Sequence, residues 1–325
     1  MNLVQGFART AWKEYRIWVV LALLMAVATG VSKGVFIRSS NLINILLLAA
    51  PIGIAAIGET FVVFTAGIDL SVVGTWIMGA VVGGSLSVSG SNVAVAVLAA
   101  LGAGLVIGML NGSLVAYLNI PPLITTLGML SIVEGIARVY RGNQPILFMP
   151  RAYDALATDY LGPIPVQILI LVAVVLAALL LASRSTIGKE MYAIGGNLIG
   201  ARCSGVRVTG VLIATYAICG VLAALGGVLH SMYMNLAVPN ADPTTLFVII
   251  AGVVVGGTKL VGGEGNVINT IAGVLVVLVI QNVMNIVGIS PLAEQGVLGL
   301  VTLIAVFLNI GWGTAARETP QMRGV

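Results

Sequence analysis

The sequence predicts an all-α polytopic membrane protein with about ten transmembrane helices and both termini in the cytoplasm. Three observations support this fold class. The 325 residues are 59% hydrophobic and 8% charged, with a mean hydropathy of +1.12. An average soluble domain is about 25% charged, so most of this surface must face lipid. Ten separate apolar runs approach the ~20 residues that a membrane crossing needs. Glycine reaches 41 residues, which suits membrane helices, because lipid gives helices no hydrophobic drive to associate and small residues let backbones approach closely.

The apolar runs cover 16–32, 42–63, 72–88, 93–117, 122–141, 165–183, 211–231, 244–258, 266–287 and 293–310. The third and eighth are short. Arg9, Lys13 and Arg16 precede the first, and Ala26-Val27-Ala28 resembles a signal-peptide cleavage site. The run continues from Ile17 to Val31, however, and further spans follow, so an uncleaved first helix is the favoured reading. Pro121-Pro122 opens the fifth run, where a proline lacks no needed hydrogen bond. Pro163 and Pro165 precede the sixth run and Pro243 the eighth. Lys259–Asn266 reads K-L-V-G-G-E-G-N and must bend sharply. The long polar connections are 142–164 and 184–210. Neither resembles a soluble domain, so residues 1–325 are expected to form a single transmembrane domain.

Charge sets the orientation. With the N-terminus inside, the cytoplasmic segments hold Arg9, Lys13, Arg16, Arg184, Lys189, Arg202, Arg207, Lys259, Arg317 and Arg323. The outer segments hold Lys33, Arg38, Arg138, Arg141 and Arg151. This excess of inside Lys and Arg favours both termini in the cytoplasm. It places 184–210 inside and 142–164 outside. The net charge of +4 is scattered and does not alternate with aromatics, which argues against nucleic-acid binding.

Several chemistries find no support. Cys203 and Cys219 form no CxxC motif and carry no metal or disulfide signal. His230 is the only histidine and reads as structural or interfacial. A P-loop needs GxxxxGK[ST], and neither Gly188-Lys189 nor Gly257-Thr258-Lys259 fits. No catalytic dyad stands at an interpretable spacing. The chain therefore reads as a non-enzyme, and if ATP drives it, another chain hydrolyses the ATP.

Four features are candidates for function. Phe64–Gly74 reads F-T-A-G-I-D-L-S-V-V-G, and Asp69 is the only charge between Glu59 and Glu134. Ionisable groups at membrane depth mark functional sites by default. The topology places Asp69 and Ser71 just before the third span at its cytoplasmic end, where both residues are good N-caps and a negative charge suits the helix dipole. A capped helix break is favoured there over substrate contact. Glu134 and Arg138 stand four apart in the fifth span, in the favourable order for an ion pair. A structural pair near the outer interface is favoured over a pathway-lining one. Glu59 is a possible coupling carboxylate, although no second acid or His lies in an obvious relay with it. Finally, 184–210 mixes charge with small residues. Ala201, Ser204 and Gly205 are small enough for close approach by a cytoplasmic partner.

Three segments together resemble the permease subunits of ribose/xylose-type ATP-binding-cassette importers. Gly67–Gly74 resembles their G-I-D-L-S-V-G signature. Ala193–Val206, A-I-G-G-N-L-I-G-A-R-C-S-G-V, resembles their cytoplasmic coupling segment. Val253–Asn266 resembles their glycine-rich connection. Asn111-Gly112 and Pro121–Met129 also match, and the likeness runs from about 40 to 310. There are departures: Val72-Val73 carries an additional Val, and Leu198-Ile199-Gly200 replaces the usual acidic and small residues.

The resemblance implies a multi-pass permease of the bacterial inner (plasma) membrane that translocates a monosaccharide or similar small polar solute. Its implied partners are a cytoplasmic ATP-binding subunit, a second permease copy or paralogue, and a periplasmic or tethered substrate-binding protein. No cofactor is expected on this chain, ATP and Mg being used by the partner ATPase. Gly195, Gly196, Asn197, Ala201, Ser204 and Gly205 become the candidates for ATPase coupling. Thr65, Asp69, Ser71, Asn111, Thr126, Glu134 and Arg138 are the pathway or helix-break candidates. The alternative is an ion-coupled secondary transporter, which would rest on Glu59, Glu134 and Arg138.

Overall fold

The computed structural model describes residues 2–311. Arg317 and Arg323, two of the basic residues that the orientation argument counted as cytoplasmic, lie outside them. The chain begins with α1 (Asn2–Val31), α2 (Ser39–Phe64), α3 (Val72–Val88), α4 (Val93–Leu118) and α5 (Pro122–Arg141). The 142–164 connection carries β1 (Ile146–Leu147), α6 (Arg151–Thr158), β2 (Tyr160–Leu161) and β3 (Ile164–Pro165). Then come α7 (Val166–Arg184), α8 (Thr186–Gly196), α9 (Leu198–Cys203) and α10 (Val208–Met234). The chain continues through β4 (Leu236–Ala237), α11 (Pro243–Val255), α12 (Val267–Val287) and α13 (Pro291–Gly311).

Every apolar run of the sequence carries a helix. Six of them (α2, α4, α5, α7, α10 and α12) are long and apolar enough to cross a membrane by length and composition. Tyr15–Val31, α3, α11 and Ala293–Phe307 are shorter apolar helices. The protein is thus nearly all-α and multi-pass. Two small strand pairings leave no trace in the residue pattern. β1 pairs antiparallel with β4, Ile146 opposite Ala237, which ties the 142–164 connection to the end of α10. β2 and β3 form a short hairpin.

α10 is the central packing element, lying against α4, α2 and α3. Its seam with α4 depends on glycine. Gly104, Gly108 and Gly112 recur every fourth residue along one face of α4. A Cβ on Gly104 would meet the Gly220 carbonyl, one on Gly108 the Tyr216 carbonyl, and one on Gly112 the Ile213 Cα at 2.6 Å. Backbone-to-backbone packing of this kind is how helices associate without a hydrophobic drive.

α2 is buried continuously from Ala49 to Phe64, so its polar atoms need partners inside the protein. Pro51 lies within it and has no N–H, which removes the donor that would serve the Leu47 carbonyl. Gln167 Nε2, fully buried on α7, donates to Leu47 O at 3.1 Å instead. Gln167→Leu should therefore lower thermal stability by about 1–2 kcal/mol, since an orphaned buried carbonyl costs ~1–3 and the unpartnered Gln167 Oε1 is removed with it. Adding Pro51→Ala restores the helical N–H and should recover most of the loss. A double variant no more stable than Gln167→Leu alone would refute the assignment. α12 is held to α2 by paired amides, Asn41 Nδ2 to Asn282 Oδ1 at 3.0 Å and Asn282 Nδ2 to Asn41 Oδ1 at 2.8 Å. The Thr60 and Thr270 hydroxyls add a 2.8 Å bond between the same helices.

Candidate functional site

α2 ends in a Schellman motif: Gly67 N–H donates to Val62 O and Ala66 N–H to Val63 O. Ala66 takes the left-handed position at φ 62°, where a residue with a Cβ costs about 1–2 kcal/mol more than glycine. Thr65 caps the last turn, its Oγ1 donating to Val62 O at 2.8 Å. This turn sends the chain back along α2, and Asp69 arrives beside Glu59.

The two carboxyls sit in a buried polar knot. Asp69 N–H donates to Glu59 Oε1 at 3.0 Å. Asp69 Oδ1 accepts the Ser71 N–H at 2.9 Å and the Ser71 hydroxyl at 2.6 Å. Asn111 Nδ2, from α4, donates to Ser71 Oγ at 2.7 Å. Thr126 Oγ1, from α5, accepts the Leu70 N–H at 3.0 Å and lies 3.2 Å from Ile68 O. Cys219 Sγ, from α10, stands 4.0 Å from Glu59 Oε2. Glu59, Asp69, Ser71, Asn111, Thr126 and Cys219 are all buried. The ion pairs among the described residues are Glu134–Arg138, Arg151–Asp159 and Lys259–Glu264, so neither carboxyl of the knot has a basic partner among them.

Two expectations change here. Asp69 does accept an N–H of the turn leading into α3, but Ser71 makes no cap bond with its side chain. Its hydroxyl donates to Asp69 and accepts from Asn111 Nδ2, and its backbone is already helical at φ −75° and ψ −5°, not in the extended form that turns an N-cap side chain onto the first-turn N–H groups. Glu59 is also not solitary. The backbone reversal at Ala66 brings Asp69 to it, so the acid that the sequence left without a companion has one.

Glu134 and Arg138 form their ion pair at 2.5 Å. Glu134 Oε1 also accepts the Ala241 N–H at 3.1 Å, fastening α5 to the segment before α11. The pair stands apart from the knot: eight residues separate Thr126 from Glu134, about 12 Å along a helix axis. With half of the Arg138 side chain exposed, the geometry is that of a surface joint.

The 184–210 connection folds into α8 and α9. Ser185 caps α8 by accepting the Gly188 N–H at 3.0 Å, and Asn197 caps α9 by accepting the Gly200 N–H at 2.9 Å. Gly195 lies where α8 meets the end of α2. A Cβ there would collide with the Phe64 carbonyl and stand 2.5 Å from Gly263 N. Gly263 N–H donates to that same carbonyl at 3.0 Å. Tyr192 stacks on Phe64 with ring centroids 4.2 Å apart, and its hydroxyl donates to Gly265 O at 3.1 Å. Burial pushes the Tyr192 hydroxyl up to about 12, so it stays protonated as that donor. α8, the end of α2 and the glycine-rich connection of 259–266 thus make one joint.

The six coupling candidates divide between its two sides. Gly195 packs into the joint, and Ala201 is buried in a cluster with Met191, Val208 and Val211. Their small size serves internal packing, so Ala201 is not the outward contact that the sequence suggested. Gly196, Asn197, Ser204 and Gly205 face outward, together with Leu198, Arg202 and Ile199, which is 76% exposed.

A nearly all-α multi-pass chain with a buried polar helix break is the architecture of a membrane protein with a functional site at membrane depth. Residues 41–306 match the family described as branched-chain amino acid transport system / permease component, and the chain belongs to that family. It is 33% identical over 305 residues to the ribose import permease protein of Escherichia coli K12, covering 92% of this chain and 94% of the relative. The galactose/methyl galactoside import permease protein of the same strain is 33% identical over 319 residues, covering 92% and 95%. The fructose import permease protein of Rhizobium meliloti is 30% identical over 301 residues, covering 90% and 84%. No solved structure matches the chain. The protein is thus a permease subunit of an ATP-binding-cassette importer, a multi-pass protein of the bacterial inner membrane. The ATPase of such an importer is a separate subunit, and a substrate-binding partner completes it.

Proposed function

We propose that this chain translocates a monosaccharide or similar small polar solute, delivered by a periplasmic or tethered binding protein and driven by a cytoplasmic ATPase. The observation that carries the substrate class is the set of relatives. The family description speaks of amino acids, but the relatives aligned over nine-tenths of the chain are named for ribose, galactose and fructose. In this reading residues 1–325 are one membrane domain crossing about ten times, the four shorter apolar helices included, with both termini in the cytoplasm. A second permease copy or paralogue completes the pathway. The chain carries no cofactor, and ATP and Mg act at the ATPase.

The outward faces of α8 and α9 receive the ATPase, and the joint at Gly195 carries its motion to the end of α2. Ile199→Asp tests the docking face at little cost to folding, because the side chain is already exposed. ATPase co-purification should fall at least ~10-fold, since charging a central apolar interface contact typically costs 2 kcal/mol or more. Unchanged co-purification would remove this surface from the coupling role.

The buried Glu59–Asp69 pair is the one feature that suits the ion-coupled alternative. Both readings are tested by uptake of a labelled sugar panel into vesicles holding the permease, ATPase and binding protein. The importer reading expects uptake that needs ATP and binding protein and ignores an imposed proton or sodium gradient. Uptake driven by a gradient without ATP would overturn it.

A further inference from the structure

The uncharged run that contains α7 begins before the helix does. Residues 160–183 carry no charged side chain, from just after Asp159 to just before Arg184, whereas α7 starts only at Val166. Arg184 is exposed in the last turn of α7 and marks one boundary of the hydrocarbon. The 19 residues of α7 rise about 28 Å, against a hydrocarbon core of about 30 Å. The opposite boundary therefore falls at or before Val166, and any tilt of the helix draws the chain deeper. The β2–β3 hairpin stands immediately before Val166, and the Val166 N–H ties it to α7 by donating to Asp159 O at 2.9 Å.

The side chains of the hairpin suit that depth. Leu161 pairs with Ile164 and Tyr160 with Pro165, so Leu161 and Ile164 share one face of the ribbon. That face is bare, with Leu161 70% and Ile164 44% exposed. Gly162 turns the chain at φ 64° and Pro163 follows it, so the tip carries no polar side chain. Tyr160, also exposed, adds an apolar ring with a polar end, a side chain enriched at membrane interfaces. The nearest charge is compensated, because Asp159 is ion-paired with Arg151 across α6. Beyond the hairpin, Ile168, Val172, Leu176 and Leu180 recur every fourth residue of α7, and the last three are exposed. This row is the lipid-facing side of the least buried of the six long apolar helices, and the Leu161–Ile164 pair extends the same apolar surface in chain order.

We propose that the β2–β3 hairpin is a membrane anchor whose Leu161–Ile164 face lies in the headgroup–acyl boundary of a phospholipid leaflet. It holds the 142–164 connection at the membrane surface, because α6 follows directly from it and packs on α7 and α10. The anchor rests only on α7 crossing the membrane. That the leaflet is the outer one rests on the topology proposed above.

Leu161→Cys and Ile164→Cys are made separately in a Cys203→Ser background, which leaves only the buried Cys219. Each is labelled with a nitroxide in the full-length permease and placed in phosphatidylcholine nanodiscs. Ile199→Cys, on the exposed cytoplasmic face, is the aqueous reference. The ratio of collisions with dissolved oxygen to collisions with a water-soluble nickel chelate should exceed the reference several-fold at both positions. A ratio equal to the reference at either position overturns the anchor. Dipolar broadening between labels on two copies, or a label immobilised only when the binding protein is added, also overturns it, because the face would then be a protein contact. In sealed vesicles with the permease in its cellular orientation, an impermeant reductant added outside should destroy the label. A label protected there, with the high collision ratio retained, would overturn the topology and leave the anchor standing in the other leaflet.

Discussion

Gly195→Val should leave the permease inserted in the membrane but uncouple it, with ATP-dependent uptake falling by an order of magnitude or more. The Gly195 Cα faces the Phe64 carbonyl so closely that any Cβ would collide with it. Gly262 and Gly263, both at positive φ, crowd the same point from the glycine-rich connection. These neighbours are backbone atoms, so no rotamer change relieves the clash. The joint must open, breaking the Gly263 N–H to Phe64 O bond and unstacking Tyr192 from Phe64. Overpacking typically costs about 1–3 kcal/mol, and the lost hydrogen bond adds ~1. That is too little to unfold a helix bundle but enough to populate a detached α8. The check is a pair of measurements on the assembled transporter: ATPase turnover and solute uptake. Turnover maintained while uptake collapses is the expected result. Uptake within twofold of the wild type would show that motion does not pass through this joint.

The contrast between Gly195 and Gly205 shows how far sequence carries. Both are small residues in a polar connection, and both read equally well as partner contacts. Only the fold reveals that Gly195 is small because Phe64 O, 131 residues earlier, occupies its side-chain space. Gly205 has nothing near it and is required by its φ of 83°. The helices themselves were legible, because each crossing must satisfy its own backbone within one apolar segment. So were Asp69, Ser71, Asn111 and Thr126, each a polar residue in apolar surroundings. Their connections were not. Glu59 gains its companion through a turn with Ala rather than Gly at the left-handed position, which removes the usual signal. Cys219 and Tyr216 reach the same region from α10, and their spacing from Glu59 carries no periodic trace. Gln167 could have been found from its polarity in an apolar run, but its partner, the carbonyl freed by Pro51, could not. The two short helices of 184–210 left only a weak pattern, because α9 spans barely two turns.

At the buried knot the acceptor geometry and the charge should separate cleanly under substitution. Asp69→Asn keeps an oxygen for the Ser71 N–H and hydroxyl, and Asn is as good a local acceptor as Asp. Asp69→Ala orphans both donors and leaves the Asn111–Ser71 bond without its anchor. Each buried unpaired donor costs about 1–3 kcal/mol, so Ala should lose several kcal/mol while Asn loses less than half of that. For Glu59 the amide isostere again ranks first, but without a loss relative to the wild type. Glu59→Gln keeps an acceptor for the Asp69 N–H and removes one of two carboxyls that have no basic partner among the described residues. A buried carboxyl without a basic partner is costly to ionise, and its amide isostere has no such cost, so the thermal midpoint of Glu59→Gln should hold or rise. Glu59→Leu also removes the carboxyl but orphans the Asp69 N–H, and should fall below Gln. Thermal unfolding of the purified permease ranks the four variants. Equal losses for Asp69→Asn and Asp69→Ala would show that the carboxylate charge, not its acceptor role, holds the break together. Uptake by the same variants completes the test. A Glu59→Gln protein that is as stable as the wild type yet transports nothing would mean that the pair serves the transport cycle itself, because the acceptor for the Asp69 N–H survives that change and the unchanged stability shows that losing the second acceptor, beside Cys219 Sγ, is tolerated.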